Sequence, residues 1–205
     1  PIPEGFKILS LCDAGYTYTF LSTSHIFTND VKKINSINQT GCLVLHLTEQ
    51  LPYQQYSYNI YIDNYFSSVP LYQYLWQIGI GACGTVRKTA SGFPKKLKVD
   101  RNIKLNWDVR SGVIINKVIA VFWQDNGPVT MLTMIYRLVD DEWKIIHERR
   151  QPRETSTNAA KVHAVFGSES KKFLKIPKII DDYNSHMNGV DIANQMQSYY
   201  STQKT

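Results

Sequence analysis

The apolar and polar positions of the first ninety residues follow two different periods. Short apolar runs, each closed by turn-forming residues, predict strands at 6–11, 16–21, 58–62 and 80–86. Leucines at helical spacing predict helices at 42–51 and from Val69 onward. The dipeptide of Ala14 and Gly15 predicts a hairpin turn between the first two strands. This order of elements is typical of a mixed α/β fold.

The pattern changes at a stretch rich in Gly, Pro and Lys, 91–100. Apolar runs between turn residues then predict strands at 112–115, 118–124, 129–138 and 143–146. The segment 148–172 is polar and basic, and we interpret it as a linker or an exposed binding strip. A helical pattern resumes at Pro177. The chain therefore divides into an α/β part at 1–90, a β-rich insertion with its basic linker at 91–172, and a second α/β part at 173–205.

Composition restricts the class of protein without assigning a function. The 205 residues are 43% hydrophobic and 12% aromatic, which is typical of a folded globular chain. A net charge of +6 is compatible with a polyanionic partner. The three cysteines form no CxxC pair, which argues against a disulfide framework or a structural zinc site and favours a reducing compartment. No apolar run reaches transmembrane length, so we expect no membrane partner.

Carboxylates occupy the positions where a sheet edge would present them. Asp13 ends the first predicted strand, Asp63 ends the third, and Asp191 opens a late helix. If the two strands are neighbours in one sheet, their carboxylates converge at one edge. Clustered carboxylates repel one another unless cations neutralise them, and hard divalent ions prefer such oxygen ligands. The alternative is that Asp13 and Asp63 are turn residues and that Asp191 is an ordinary acid of a first helical turn.

Four short motifs occur in a fixed order along the chain. They are CDAGY at 12–16, DNYFSS at 63–68, GTVR at 84–87, and YN…MNGVD…QM at 183–196. Together they resemble the piggyBac family of DDE/D transposases, and the similarity covers nearly the whole chain, including VFWQD at 121–125. The resemblance implies a ribonuclease H-like core, a mixed sheet with flanking helices, at 1–90 and 173–205. A β-rich insertion domain at 91–172 would interrupt this core.

The resemblance also implies which residues form the site. Asp13, Asp63 and Asp191 match the three catalytic acids, which would hold two Mg²⁺ or Mn²⁺ ions. Asn194 stands where the family commonly has a further Asp, three residues after the third acid. An amide oxygen can ligate a divalent ion, so Asn194 is a candidate fourth ligand, but it adds no negative charge.

Cut-and-paste DNA transposition is the activity that the resemblance implies. Metal-dependent strand cleavage and strand transfer would act on transposon ends and an AT-rich target, in a nuclear homodimer. The chain begins at Pro1 and stops directly after a helical pattern, so we interpret it as part of a longer protein and do not expect this piece alone to transpose. Asn194 favours an alternative, a degenerate or co-opted DNA-binding protein without catalytic activity.

Basic residues outside the acidic motifs are candidate DNA contacts. Arg87 follows a strand that should end near the same edge as the acids, where a phosphate contact and a solvated strand-end position are both open. Arg149, Arg150, Arg153 and Lys161 could follow a DNA backbone, or could simply keep an exposed segment solvated.

Overall fold

The computed structural model of the chain describes residues 8–22, 31–100, 103, 105–137, 144–154 and 159–200. The strands within these residues are β1 Ile8–Asp13, β2 Tyr16–Ser22, β3 Asn59–Ile62, β4 Gly81–Thr85, β5 Arg110–Ile115, β6 Val118–Gln124, β7 Pro128–Thr133, β8 Lys144–Arg150 and β9 Lys171–Pro177. The helices are α1 Gln39–Thr48, α2 Val69–Gln77, α3 Ala159–Phe166, α4 Lys178–His186 and α5 Gly189–Ser198. None of the helices in these ranges is long and apolar enough to cross a membrane.

The first two strands form the predicted hairpin. β1 and β2 pair antiparallel from Ile8 and Ser22 to Asp13 and Tyr16. Ala14 and Gly15 both have positive φ, 45° and 91°, as a two-residue type I′ turn requires. The turn therefore leaves Asp13 at the very end of β1, next to a tight reversal of the chain.

A five-stranded mixed sheet lies at the centre of the fold, in the order β3-β4-β7-β6-β5. β3 and β4 are parallel and are joined by α2, whereas the other three neighbouring pairs are antiparallel. Gly84 of β4 pairs with Leu132 of β7, so strands on both sides of residue 90 share one sheet. The domain boundaries at 90 and 172 stay predictions. The strands on the two sides of the boundary at 90, β4 and β7, are hydrogen-bonded neighbours in this sheet. The mixed α/β class predicted from the sequence is confirmed.

Strand β6 explains why the sequence there is apolar without alternation. All seven of its residues are buried. Val118, Ala120 and Phe122 pack in one cluster with α2, whereas Val121 and Trp123 pack in a second cluster with α4 and β9. Because successive side chains of a strand point to opposite faces, a strand covered on both faces must be apolar throughout.

Several predicted bounds of helices, strands and linkers were wrong. Helix α1 begins three residues before the predicted start at residue 42, because Asn38 caps it: the Gly41 N–H donates to Asn38 Oδ1 at 3.0 Å. The strand predicted at 129–138 ends at Thr133. The segment 148–172, interpreted as a linker or exposed strip, holds the end of β8, the whole of α3 and the start of β9. Residues 6 and 7 of the first predicted strand lie outside the described ranges.

Candidate active site

Asp63 lies directly after β3, at the start of a tight turn. The Tyr65 N–H donates to Asp63 Oδ1 at 2.8 Å, and the Ser67 hydroxyl donates to the Asp63 carbonyl oxygen at 3.2 Å. Ser68 then caps α2 by accepting from the Leu71 N–H at 3.4 Å. Asp63 is both a turn residue and an exposed strand-end carboxylate. The turn fixes the direction of this side chain while leaving it open to solvent.

Helix α5 packs directly on the β1–β2 hairpin. A Cβ on Gly189 would lie 2.9 Å from the Cys12 carbonyl oxygen, and one on Gly15 would lie 2.6 Å from Cγ2 of Ile192. These two close approaches flank Asp13 on the hairpin and Asp191 in the first turn of α5. The packing therefore sets the segments of Asp13 and Asp191 side by side.

Two adjoining cavities separate β1 from β3. One, of about 450 Å³, is lined by Asp63 and Asp191, and the other, of about 520 Å³, is lined by Asp13. Both cavities are also lined by the same six residues, Ser10, Leu11, Ile60, Tyr61, Met187 and Val190. The condition under which the carboxylates of Asp13 and Asp63 would converge at one sheet edge does not hold among the described strands, because β1 pairs with β2 only. The strands face each other across a cleft instead, and the three acids border that cleft.

Arg87 stands beside the turn that carries Asp63. Its Nε donates to Asn64 Oδ1 at 3.0 Å, and its guanidinium lies 5.3 Å from the centroid of the Tyr65 ring. Arg87 follows β4, the parallel neighbour of β3, so the two strand ends meet at one edge of the sheet as expected. The side chain remains exposed there, close to the acidic cleft.

Comparison with known proteins decides the family. A family model described as Transposase IS4 matches residues 1–205. The chain belongs to this transposase family. A cryo-EM structure of a piggyBac transposase synaptic complex with hairpin DNA matches with a TM-score of 0.61 at 21% identity, over 95% of this chain and 34% of that one. The transposase chain thus spans about a third of the length of that protein and shares its fold, and the resemblance to piggyBac transposases is confirmed.

DDE transposases use divalent metal ions, and the donors of this chain suit such ions in kind. Asp13, Asp63 and Asp191 are exposed carboxylates, and Asn194 is exposed one turn after Asp191 on α5. Among the described residues, no three His, Cys, Asp or Glu side chains stand close enough together to form a metal-binding group. The structure of the transposase chain therefore brings the acids to one cleft without drawing them together as a ligand set.

Tyr183 lines the cleft, a position that the sequence did not predict. It lines the same cavity as Asp63 and Asp191, and its hydroxyl lies 3.3 Å from Oγ1 of Thr85 at the end of β4. Burial raises the pKa of the Tyr183 hydroxyl, and the charge of Asp63 raises it further, against the opposite effect of the Thr85 hydrogen bond. The Tyr-Asn motif contained this residue, but its helical position gave no sign that the phenol would reach the sheet.

The candidate basic strip of the transposase chain does not form one surface. Arg149 and Arg150 are successive residues of β8, so their side chains point to opposite faces. Arg149 is ion-paired with Asp125, and its guanidinium lies 6.0 Å from the Trp123 ring centroid. Arg150 and Arg153 are exposed, and Lys161 is half-buried on α3. Arg149 is thus engaged inside the fold, whereas its neighbour faces solvent.

Proposed function

We propose that this chain is the catalytic domain of a piggyBac-like DNA transposase. In the complete protein it would cleave and join DNA strands with two divalent ions held by Asp13, Asp63 and Asp191. The observation that carries this proposal is that three acids from a hairpin strand, a strand end and a helix start border one cleft. The core at 1–90 and 173–205 would be ribonuclease H-like, with a β-rich insertion at 91–172.

The residues of the cleft have different roles in the proposed reaction. The turn at Asp63 holds one carboxylate oxygen through the Tyr65 N–H, which fixes its direction. The first turn of α5 favours a negative charge at Asp191, because helix N-terminal amides carry partial positive charge. Two bound divalent ions would activate a water or a 3′-hydroxyl and stabilise the leaving oxygen. Mg²⁺ and Mn²⁺ both suit the oxygen donors, and Asn194 would supply a neutral fourth donor.

DNA is the proposed partner, as transposon ends and as an AT-rich target, bound by a homodimer in the nucleus. The net charge of +6 supports a polyanionic partner. The similar piggyBac transposase was solved as a synaptic complex with hairpin DNA. Arg87, beside the cleft, and Arg150 and Arg153 would contact phosphates, and their exposure to solvent supports this part of the proposal. Lys161 and Arg149 complete the proposed set, although Arg149 would first have to leave Asp125.

A second candidate function rests on Asn194. A degenerate or co-opted DNA-binding protein would keep the fold and the basic residues while losing catalysis. An amide in place of a carboxylate leaves one negative charge fewer on the exposed part of α5, one turn after Asp191, which would weaken the hold on a divalent ion. The two functions differ in one property, which is metal-dependent strand chemistry.

Strand transfer by the full-length protein tests the proposal. The substrate would be a pre-nicked transposon end with Mg²⁺ or Mn²⁺, and the variants would be Asp63→Ala and, as control, Glu154→Ala at an exposed acid after β8. A metal ligand is worth several kcal/mol of transition-state stabilisation, so Asp63→Ala should lower the rate by about 10³-fold while the control keeps it. Equal rates for wild type and Asp63→Ala would overturn the site. DNA binding without strand transfer in the wild type would favour the second function.

A further inference from the structure

A half-buried carboxylate outside the three acids joins α4 to the central sheet. The Tyr61 hydroxyl of β3 donates to Asp182 Oδ2 at 2.5 Å. Tyr136, which follows β7, lies near enough to Asp182 for that carboxylate to raise the pKa of its hydroxyl, after the larger effect of burial. Asp182 Oδ1 lies 3.4 Å from Nδ1 of His186, and the His186 ring stacks on Tyr61 with centroids 4.3 Å apart and planes 6° from parallel. One carboxylate thus gathers groups from two strand ends and its own helix.

The Tyr61 hydroxyl donates to a carboxylate, which is a charged acceptor. Hydrogen bonds to a charged acceptor are roughly twice as strong as neutral ones, so the contacts at Asp182 stabilise the docking of α4 more than ordinary surface contacts would.

The position of Asp182 in the chain links these contacts to the cleft. Tyr61 lies two residues before Asp63 on the strand that presents it. After Asp182, α4 runs to His186, and α5 with Asp191 begins at Gly189. No ladder joins β1 to β3 among the described strands, so the docking of α4 on β3 is a direct connection between the segments of Asp63 and Asp191, beside the packing of α5 on the hairpin.

Helix α4 also packs on the fold through the buried Ile179 and Ile180, and its other polar contacts reach β8 and β4. Asp181 pairs with His147 of β8 at 2.8 Å, which fixes α4 to the β8–β9 ribbon and not to the strand of Asp63. The Tyr183 hydroxyl reaches Thr85 of β4 at 3.3 Å. The hydrogen bond between Asp182 and Tyr61 connects α4 directly to β3, the strand that presents Asp63.

We propose that Asp182 is a positioning residue that sets Asp191 against Asp63 by anchoring α4 to Tyr61. The role in metal binding rests on the proposed function of the three acids, whereas the anchoring of α4 and α5 does not. Asp182 itself would not ligate an ion, because its oxygens face donors from within the fold.

The test uses the full-length transposase with Tyr61→Phe and Asp182→Asn. Tyr56→Phe, at a tyrosine that is 63% exposed, is the matched control. The readouts are Mn²⁺ affinity by electron paramagnetic resonance and hydrogen exchange of the α5 amides. We expect both cluster variants to weaken Mn²⁺ binding by about tenfold, the low end of the range for groups that orient a ligand directly, because they act through the docking of α4. Exchange of α5 should accelerate on the order of tenfold, and the control should change neither.

The outcomes separate this inference from the proposed function. Unchanged Mn²⁺ affinity together with unchanged α5 exchange in Tyr61→Phe would overturn the positioning role. Because Tyr61→Phe keeps the ring that stacks on His186, it remains a usable test even if Asp182→Asn fails to fold. A lower unfolding midpoint with unchanged Mn²⁺ affinity would show a merely structural contact and would also overturn it. Mn²⁺ binding that survives Asp63→Ala would instead contradict the proposed function, while α5 exchange would still report on the anchor.

Discussion

Gly189 brings the start of α5 so close to β1 that a Cβ at this position would lie 2.9 Å from the Cys12 carbonyl oxygen. Carbon and oxygen atoms in contact stand farther apart than this, so any other residue would push the helix away from the hairpin. Gly189 therefore does more than interrupt a helical pattern. It allows the segments of Asp13 and Asp191 to adjoin.

Replacing Gly189 should separate these two segments. Gly189→Ala places a methyl group against the backbone of β1, and overpacking of this kind costs about 1–3 kcal/mol. We expect a lower unfolding midpoint and slower strand transfer in the full-length protein. Gly127→Ala is the matched control, since nothing lies within 4 Å of a Cβ there. A Gly189→Ala protein with the stability and rate of the control would show that α5 does not need this close approach.

Restoring a carboxylate at position 194 should strengthen metal binding. Asn194→Asp adds a negative charge one turn after Asp191 on an exposed part of α5, and carboxylates bind hard divalent ions more tightly than amides do. Titration with Mn²⁺ should show a higher affinity, with faster strand transfer at limiting metal. Gln195→Glu adds the same charge at the next residue and should change little. Equal effects of the two variants would mean that only general charge matters at this helix.

The neighbouring arginines of β8 should respond differently to removal. Arg149→Ala removes the pairing with Asp125 and the contact with Trp123, so we expect the free energy of unfolding to fall by about 1–2 kcal/mol. Arg150→Ala should leave the unfolding midpoint unchanged but reduce the salt dependence of DNA binding by a slope of about 0.9 per lost phosphate contact. The measurements are thermal unfolding and DNA affinity at several salt concentrations. A salt slope that Arg150→Ala leaves intact would remove this residue from the proposed DNA surface.

Stability should fall at alkaline pH because of a buried thiol. Burial, with the nearby charge of Asp182, raises the pKa of Cys83 to about 12. A thiol whose pKa is higher in the folded than in the unfolded state contributes stability below the unfolded pKa of about 8.5 and loses it as the pH rises toward the folded value. The free energy of unfolding should therefore decrease between about pH 9 and pH 12. Cys83→Ala should make the decrease shallower; identical pH profiles for wild type and Cys83→Ala would contradict the assignment.

Local rules predicted the parts of this fold that local sequence controls. The positive φ values at Ala14 and Gly15 and the serine cap of α2 follow from short-range chemistry, and both were found where the sequence placed them. The start of α1 was missed, because the turn capped by Asn38 contains no apolar residue until Cys42. A first helical turn without apolar residues shows no helical spacing from which a helix could be predicted.

The pattern of apolar and polar residues could not predict which distant strands pair with each other. Nothing near Gly84 indicates that its partner is Leu132, so β5 to β7 read as a separate block although they extend the sheet of β3 and β4. Likewise, Asp182 in a helix reads as a solvated acid until Tyr61, far away in the chain, is seen to donate to it. The acids at strand ends and at the helix start could be named because their motifs are contiguous, but the cleft between them appears only in three dimensions.

Anomalous scattering from Mn²⁺ bound to the full-length protein tests the central claim most directly. The account predicts two peaks about 3.5–4 Å apart, in the cleft between β1 and β3, with oxygens of Asp13, Asp63 and Asp191 as ligands. The Asp63→Ala protein should lose at least one of the two peaks. Manganese bound elsewhere, with the three acids left without an ion, would contradict the account.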